Sequence, residues 1–329
     1  MKGFVLSCLL LACAAGIGAS DHPLPPAGYP KKPLTAIVPF ARGGGLDVSM
    51  RLLGRYAEPE LGQKIDVVNT TAKGNIQGNY QGIQAAPDGY TLGVWGMGLV
   101  TDELIIRNVP YTHHDVQPVC MFADDAHVIG VSRGFAEDKD IRTFDDLLAY
   151  VGENPGRVTF GVGGNWTSHD FIRLRIEELT GVKFVRMPFL GGALAAEAAA
   201  KGNCDVVSPF LPEFMPWLES GAIIPLAVSD AVRMSQLPDI PTTVELGHPE
   251  MLQTMWRVVT VPKGTPKNIV AHLESVFRKA VENPNFIKEA KALGVNPMFM
   301  GTAVLEDFIE EEYEHFLKKT EELGIRVLK

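Results

Sequence analysis

Short apolar runs rich in valine and isoleucine alternate along the chain with longer stretches of helical periodicity, the pattern of an α/β protein with parallel strands. Strands buried on both faces read as unbroken apolar runs. The runs are Leu34 to Pro39, Ile65 to Asn69, Thr91 to Trp95, Val116 to Met121, Val128 to Ser132, Val158 to Val162, Phe184 to Met187, Asp205 to Val207, Pro225 to Val228 and Val258 to Val261. Helices are predicted between them. Their starts are marked by Asp47, by Thr143 with Asp146 three residues on, by Ser168, and by Thr265 followed by Pro266, which opens a long amphipathic helix over Lys267 to Val281.

The pattern changes character twice. Asp124-Asp125 precedes a fresh set of strand-helix units, and Ser229 to Thr243 is a proline-bearing connection without periodicity. These changes predict two crossings between two lobes, the first made of residues 34–124 and 230–329 and the second of residues 125–229. Length supports the division, because 329 residues, 46% of them hydrophobic, exceed what one core holds economically. Residues 21–33, rich in proline, read as an extended leader outside the fold. Met1-Lys2, the apolar run Phe4 to Ala15 and the small residues up to Ser20 match a secretory signal peptide over residues 1–20. Leu10-Leu11-Ala12-Cys13 also reads as a lipobox, which would lipidate Cys13. Two cysteines then remain in the mature chain. Cys120 and Cys204 are either a pair or, as the core-strand context of Cys120 favours, two separately buried thiols.

A formal net charge of −9, with no basic block longer than Lys31-Lys32, argues against nucleic acid as a partner. Attraction for an anion would have to be local. The triple glycine Gly43 to Gly45 supplies it: a strand that ends in glycines and runs straight into a helix points free backbone N–H groups at a gap no side chain can fill. A second such loop runs from Gly161 through Gly163, Gly164, Asn165, Trp166 and Thr167 to Ser168 and His169. A third, after Met187, carries Gly191, Gly192 and Ala193. Phe210 belongs to the aromatic residues nearest these loops, where an apolar wall around a carbon skeleton would be useful. Each loop alone is also readable as a tight strand-to-helix turn.

Enzyme signatures are mostly missing. The triple glycine lacks the Gly-Lys-Ser/Thr of a phosphate loop, the Gly-x-Gly stretches at Gly43 and Gly161 fail at the third glycine of a dinucleotide fingerprint, and there is no His-Glu-x-x-His or Cys-x-x-Cys. No catalytic residue, cofactor or metal is expected. His113-His114 reads as a solvated loop, since neighbours on a strand point apart. An exported hydrolase or transferase using His169 with Ser168 or Asp170 is the rival from another class, but side chains adjacent in sequence seldom converge on one substrate atom.

The loops, with Tyr29-Pro30-x-Lys32-Pro33, the stretch from Pro39 to Asp47 followed by Arg51, Ala86-Pro87-Asp88-Gly89-Tyr90, Leu237-Pro238-Asp239-Ile240-Pro241-Thr242 and Pro262-x-Gly264-Thr265-Pro266, resemble the periplasmic substrate-binding proteins of tripartite tricarboxylate transporters, the Bug family. The resemblance implies a two-lobed, type II periplasmic binding fold, each lobe a mostly parallel sheet flanked by helices. It also implies a monomeric, exported receptor that takes a small organic carboxylate to a membrane permease, or presents it to a sensor kinase. Carried onto this chain, the carboxylate is held by Phe40 to Asp47, with Arg42 and Leu46 among them, and by Gly163 to His169. The family's usual Pro or Ala at Arg42 and Thr or Ser at Leu46 are absent, and Phe189-Leu190 replaces a common Tyr-Lys pair, which implies a less polar site. Arg42 either pairs with a second carboxylate or points to solvent.

Overall fold

The structure is a computed structural model that describes residues 27–40, 42–71, 75–106, 108–164 and 166–325. The expected signal peptide, Cys13, the first half of the leader and Asn165 lie outside the described residues.

The chain begins β1 (Leu34–Val38), α1 (Gly45–Leu61), β2 (Ile65–Asn69), α2 (Ile76–Ile83), β3 (Thr91–Trp95) and α3 (Gly98–Ile105). After a 3-10 turn at His113–Asp115, β4 (Val116–Ala126) leads directly into β5 (Val128–Ser132) of a second sheet. Then come α4 (Arg133–Lys139), α5 (Phe144–Glu153), β6 (Thr159–Val162), α6 (Ser168–Thr180), β7 (Val185–Pro188), α7 (Gly192–Ala200), β8 (Val206–Val207), α8 (Leu211–Leu218) and β9 (Ile223–Val228). The chain returns to the first sheet with β10 (Thr254–Pro262), α9 (Lys267–Glu282), α10 (Pro284–Ala292), β11 (Pro297–Gly301) and α11 (Thr302–Glu322).

The two sheets have the orders β11-β4-β10-β3-β1-β2 and β7-β6-β8-β5-β9, and both are mixed. β1 pairs in parallel with β2 and β3, while β10 is antiparallel to β3 and β4, and β11 to β4. In the second sheet β6, β7 and β8 run parallel, and β5 opposes β8 and β9. Non-sequential neighbours joined through helices place the carboxyl ends of β1, β6 and β7 at the loops that carry the glycines.

Each sheet has its own core. Ile269, Val270, Leu273, Val276, Phe277 and Ala280 recur every three or four residues along α9 and pack onto the first sheet, among Leu34, Ala36, Val38, Leu92 and Phe122. Burying a side chain of this size stabilises by roughly 1.5–3 kcal/mol. Ile129, Phe144, Phe160, Ile172 and Val206 fill the second. Cys120 and Cys204 are free, buried thiols, the one on β4 of the first sheet and the other beside β8 of the second. Among the described residues no helix is long and apolar enough to cross a membrane.

Three expectations are corrected. The leader is not wholly outside the fold: Tyr29 packs against the first core and donates from its hydroxyl to the Gly89 carbonyl at 2.7 Å. α1 has Gly44 as its N-cap, not Asp47, while of Ser168 and Thr167, the two residues placed to cap α6, Thr167 holds the position. The His113-His114 pair is not a solvated loop, because a 3-10 turn, unlike a strand, lets neighbouring rings lie together. Their centroids are 3.9 Å apart and His113 is buried.

Candidate functional site

The three glycine loops share one structural feature. The N-caps Gly44, Thr167 and Gly191 close α1, α6 and α7 without a side-chain hydrogen bond, as the N-caps of α2, α3, α8, α9 and α11 also do, whereas Ser132, Thr143 and Asn283 cap α4, α5 and α10 with theirs. An uncapped helix start leaves backbone donors and the positive end of the helix dipole available to an anion. All three starts follow the carboxyl end of a strand, where ligands of open α/β sheets bind.

The first loop is braced from beneath. Asp47 is buried in the first turn of α1, where one carboxylate oxygen accepts the Gly43 N–H at 2.8 Å and the other accepts Arg51 Nε and Asn69 Nδ2, both at 2.9 Å. Burial pushes the Asp47 carboxyl up, but the Arg51, Gly43 and Asn69 donors outweigh it and hold the group below the ordinary carboxylate value. Asn69 also donates to the Phe40 carbonyl at 3.0 Å, so strand β2 fixes the loop's entry. Gly43 to Gly45 stay exposed above this network, Leu46 packs against the first core, and Arg42 stands exposed at the lip.

The second and third loops close on each other. A Cβ at Gly163 would lie 2.7 Å from the Gly192 nitrogen and 3.0 Å from His169 Nδ1, so only glycine permits the approach. A Cβ at Gly192 would strike both His169 Nε2 and Glu213 Oε2. Those two atoms are 3.1 Å apart, and the same Glu213 oxygen accepts the Phe210 N–H at 3.0 Å. Burial works against the Glu213 charge; His169, the Phe210 amide and Arg257 together hold the carboxyl below its ordinary value. The rings of His127, His169 and Phe210 lie 4.3 to 5.1 Å apart around this pair. His127 Nδ1 is 2.6 Å from the Ser208 carbonyl, and burial, with His169 nearby, holds its imidazole well below the usual range. It is therefore neutral, with Nδ1 donating and a buried Nε2 left without a partner.

Arg257 of β10 joins the halves. It is buried, donates to the Gly45 carbonyl at 2.8 Å, and forms an ion pair with Asp125 at the end of β4. It also lies near enough to Glu213 of the second sheet to favour that residue's charged form. A buried chain of groups thus runs from the first glycine loop through Arg257 and Asp125 to Glu213, His169 and the other two loops.

Of the expected residues, Gly163, His169, Gly192 and Phe210 come together. Asp47 faces inward and supports its loop, Ser168 Oγ is buried without a partner, and Ala193 is exposed on α7. Trp166 has φ of 57° and packs beside the cluster of Trp95, Met97 and Trp256, with the Arg186 guanidinium 5.6 Å from its ring. Sequence reasoning missed Arg257, Asp125, Glu213 and His127. A charge inside the apolar run Trp256 to Val261 is a signal for a buried partner, and Pro212-Glu213 marks a helix start. His127, a single residue between two strands, carries no such signal.

Two lobes carrying sheets of these orders, with uncapped helix starts at the strand ends, define a periplasmic binding protein. The family described as "Tripartite tricarboxylate transporter family receptor" matches residues 50–325, and the chain belongs to that family. The protein BugT of Bordetella pertussis is 27% identical over 97% of this chain and 96% of its own. The solved structure of the periplasmic binding protein BugD is 25% identical, with a TM-score of 0.77 over 91% of this chain and 99% of its own. That of R. palustris Rpa4515 with adipate is 27% identical, with a TM-score of 0.79 over 91% of this chain and 100% of its own. As a member of this receptor family, the chain is an extracytoplasmic solute-binding protein and not an enzyme. The hydrolase reading of His169 fails on geometry too, because Ser168 Oγ is buried without a hydrogen-bond partner and Asp170 is held by Arg173 and Arg186.

Proposed function

We propose that the protein captures a small organic mono- or dicarboxylate between its two lobes and delivers it to a tripartite tricarboxylate-type membrane permease. The observation that carries the reading is the set of three uncapped helix starts, two of them locked together through Gly163 and Gly192 and the third joined to them through Arg257. One carboxylate meets Gly43 to Gly45 and the loop of Gly163 to His169. Phe40 and Leu190, 48% and 95% exposed on these loops, supply apolar walls for a carbon skeleton. Adipate in the R. palustris relative, a dicarboxylate on an apolar chain, supports that chemistry. The lobes divide at 124 and 229 and close by a hinge there. Ser229 Oγ accepts the His127 N–H at 3.0 Å and donates to the Gln253 carbonyl at 2.8 Å, tying the crossing strands together.

A thermal-shift screen of the purified mature protein against carboxylates tests this. Ligand at a hundred times its dissociation constant should add about 3 kcal/mol. Gly44→Val should erase the shift while leaving the unliganded melting point in place. A melting point moved by sugars or amides and by no carboxylate would overturn the proposal.

A further inference from the structure

The His113-His114 turn carries donors that the carboxylate site does not use. We infer that His113, His114 and Glu310 form a binding site for a divalent transition-metal ion of the zinc class. His113 Nδ1 lies 2.6 Å from Glu103 Oε1, the oxygen that also accepts the His113 backbone N–H at 2.9 Å. A carboxylate on Nδ1 fixes the proton there and leaves Nε2 as a bare lone pair, which is how metal-binding histidines are oriented. That Nε2 is buried and has no hydrogen-bond partner. It is aimed at Glu310 of α11, whose Oε1 is 3.4 Å away, and His114 Nδ1 is 3.3 Å from the same oxygen. The His113 lone pair and His114 Nδ1 both face one carboxylate oxygen, and a cation between them would satisfy all three.

The two edges at Glu310 fit one. Ligands roughly 2.0–2.1 Å from a tetrahedral zinc ion stand about 3.3–3.4 Å from each other, and the two edges at Glu310 have that length. The donor atoms of all three residues fall within 4.8 Å of one another. Two imidazoles and one carboxylate select zinc and its transition-metal neighbours over magnesium or calcium, and leave a fourth position to water. His114 and Glu310 are more than half exposed, so the ion has an entry path while His113 forms the buried wall.

The site is remote from the glycine loops. Val258 of β10 pairs with Trp95 at the carboxyl end of β3, whereas Pro262 pairs with Val116 at the other end of the sheet, next to the histidines. A bound ion would therefore clamp α11 and the turn to α3, through Glu103, without touching the carboxylate.

Titration of tag-free, chelator-stripped protein with zinc chloride, followed by calorimetry and by competition with a chromophoric chelator, should give one ion per chain. Glu310→Gln and His114→Ala, both at exposed positions that leave the fold intact, should each weaken zinc at least tenfold. Cobalt should give the visible bands of a tetrahedral ion in the wild type and lose them in Glu310→Gln. Absence of stoichiometric zinc binding, or equal affinity in the His114→Ala/Glu310→Gln double variant, would overturn the inference.

Discussion

The loop after β1 and the paired loops after β6 and β7 present the same backbone chemistry, glycines feeding helices that no side chain caps, but they are held in different ways. The first rests on permanent charges: Asp47 satisfies Gly43, Arg51 and Asn69, and Arg257 holds the Gly45 carbonyl. The second rests on an imidazole and a carboxylate, His169 and Glu213, ringed by His127 and Phe210. A pair of helix N-termini is enough to attract an anion. What surrounds them decides how fixed each jaw is, and how each answers to pH and to charge.

Removing the brace of the first jaw should have the largest effect. Asp47→Ala leaves the Gly43 amide without its acceptor, takes one of two acceptors from the Asn69 amide and leaves Arg51 without its counter-ion. Breaking a buried charged network of this kind costs about 3–5 kcal/mol, towards the lower end here because Arg51 is partly exposed. Urea unfolding should show that loss, and carboxylate binding should disappear with it. Asp47→Asn, which keeps one acceptor, should recover part of both. Full binding in Asp47→Ala would separate the brace from the jaw.

In the second jaw the corresponding lever is space. Gly192→Ala places a methyl group on both His169 Nε2 and Glu213 Oε2, so one must turn away. Affinity for carboxylate should fall about a hundredfold, near 2.8 kcal/mol, with a smaller loss of stability. Isothermal titration of the variant checks it, and unchanged affinity would show that the third loop does not take part.

The strands of both lobes were legible in the sequence where burial on two faces writes a continuous apolar run. Thr91–Trp95 and Val128–Ser132 lie where the pattern predicts them, and so does Ile65–Asn69, although it is an edge strand with Asp66 and Val68 exposed. β11 was not legible, because Pro297 to Gly301 is half-buried along its whole length and begins with proline, which has no N–H for the ladder. β10 begins at Thr254, earlier than its apolar run, because Trp256 and Arg257 are buried by partners elsewhere in the chain. The same reason explains the candidate site. Glycine loops are local signals and could be read directly, whereas Arg257, Asp125 and Glu213 become a group only when distant segments fold together. Two adjacent histidines looked idle until α11 brought Glu310 to them.

The crossing between the jaws should show opposite pH responses at two nearby residues. Burial pushes the Asp124 carboxyl up to about 7, with one oxygen left unpartnered. Between the unfolded value near 3.8 and about 7 the folded chain keeps a proton that the unfolded chain releases, so this group lowers stability as pH rises. His127 works the other way. Its folded value is far below 6.5, so the unfolded chain alone takes up a proton below that pH, and stability falls as pH drops. Asp124→Asn should therefore leave a protein whose stability climbs from pH 5 to pH 7, by about 2 kcal/mol relative to wild type. His127→Gln should leave one whose stability declines over the same range. Parallel slopes in the two variants, measured by denaturant unfolding, would refute the opposition.

The smallest effect is the most informative about the ligand. Glu213 puts a negative charge into the second jaw, and Arg42 puts a positive one at the lip of the first. Glu213→Gln keeps an acceptor for the Phe210 amide and removes the charge. Neutralising one charge several ångströms from a bound carboxylate in a partly wet cleft is worth about 0.7–1.4 kcal/mol, so a dicarboxylate should bind three- to tenfold tighter. Arg42→Gln should weaken it about threefold if the guanidinium meets the second carboxylate, and raised salt should shrink both changes. A Glu213→Gln variant that binds more weakly would mean that the glutamate receives a hydrogen bond from the ligand itself. The second jaw would then be a mixed site that selects a hydroxyl or ammonium beside the carboxylate, and only the first would be a plain anion cradle.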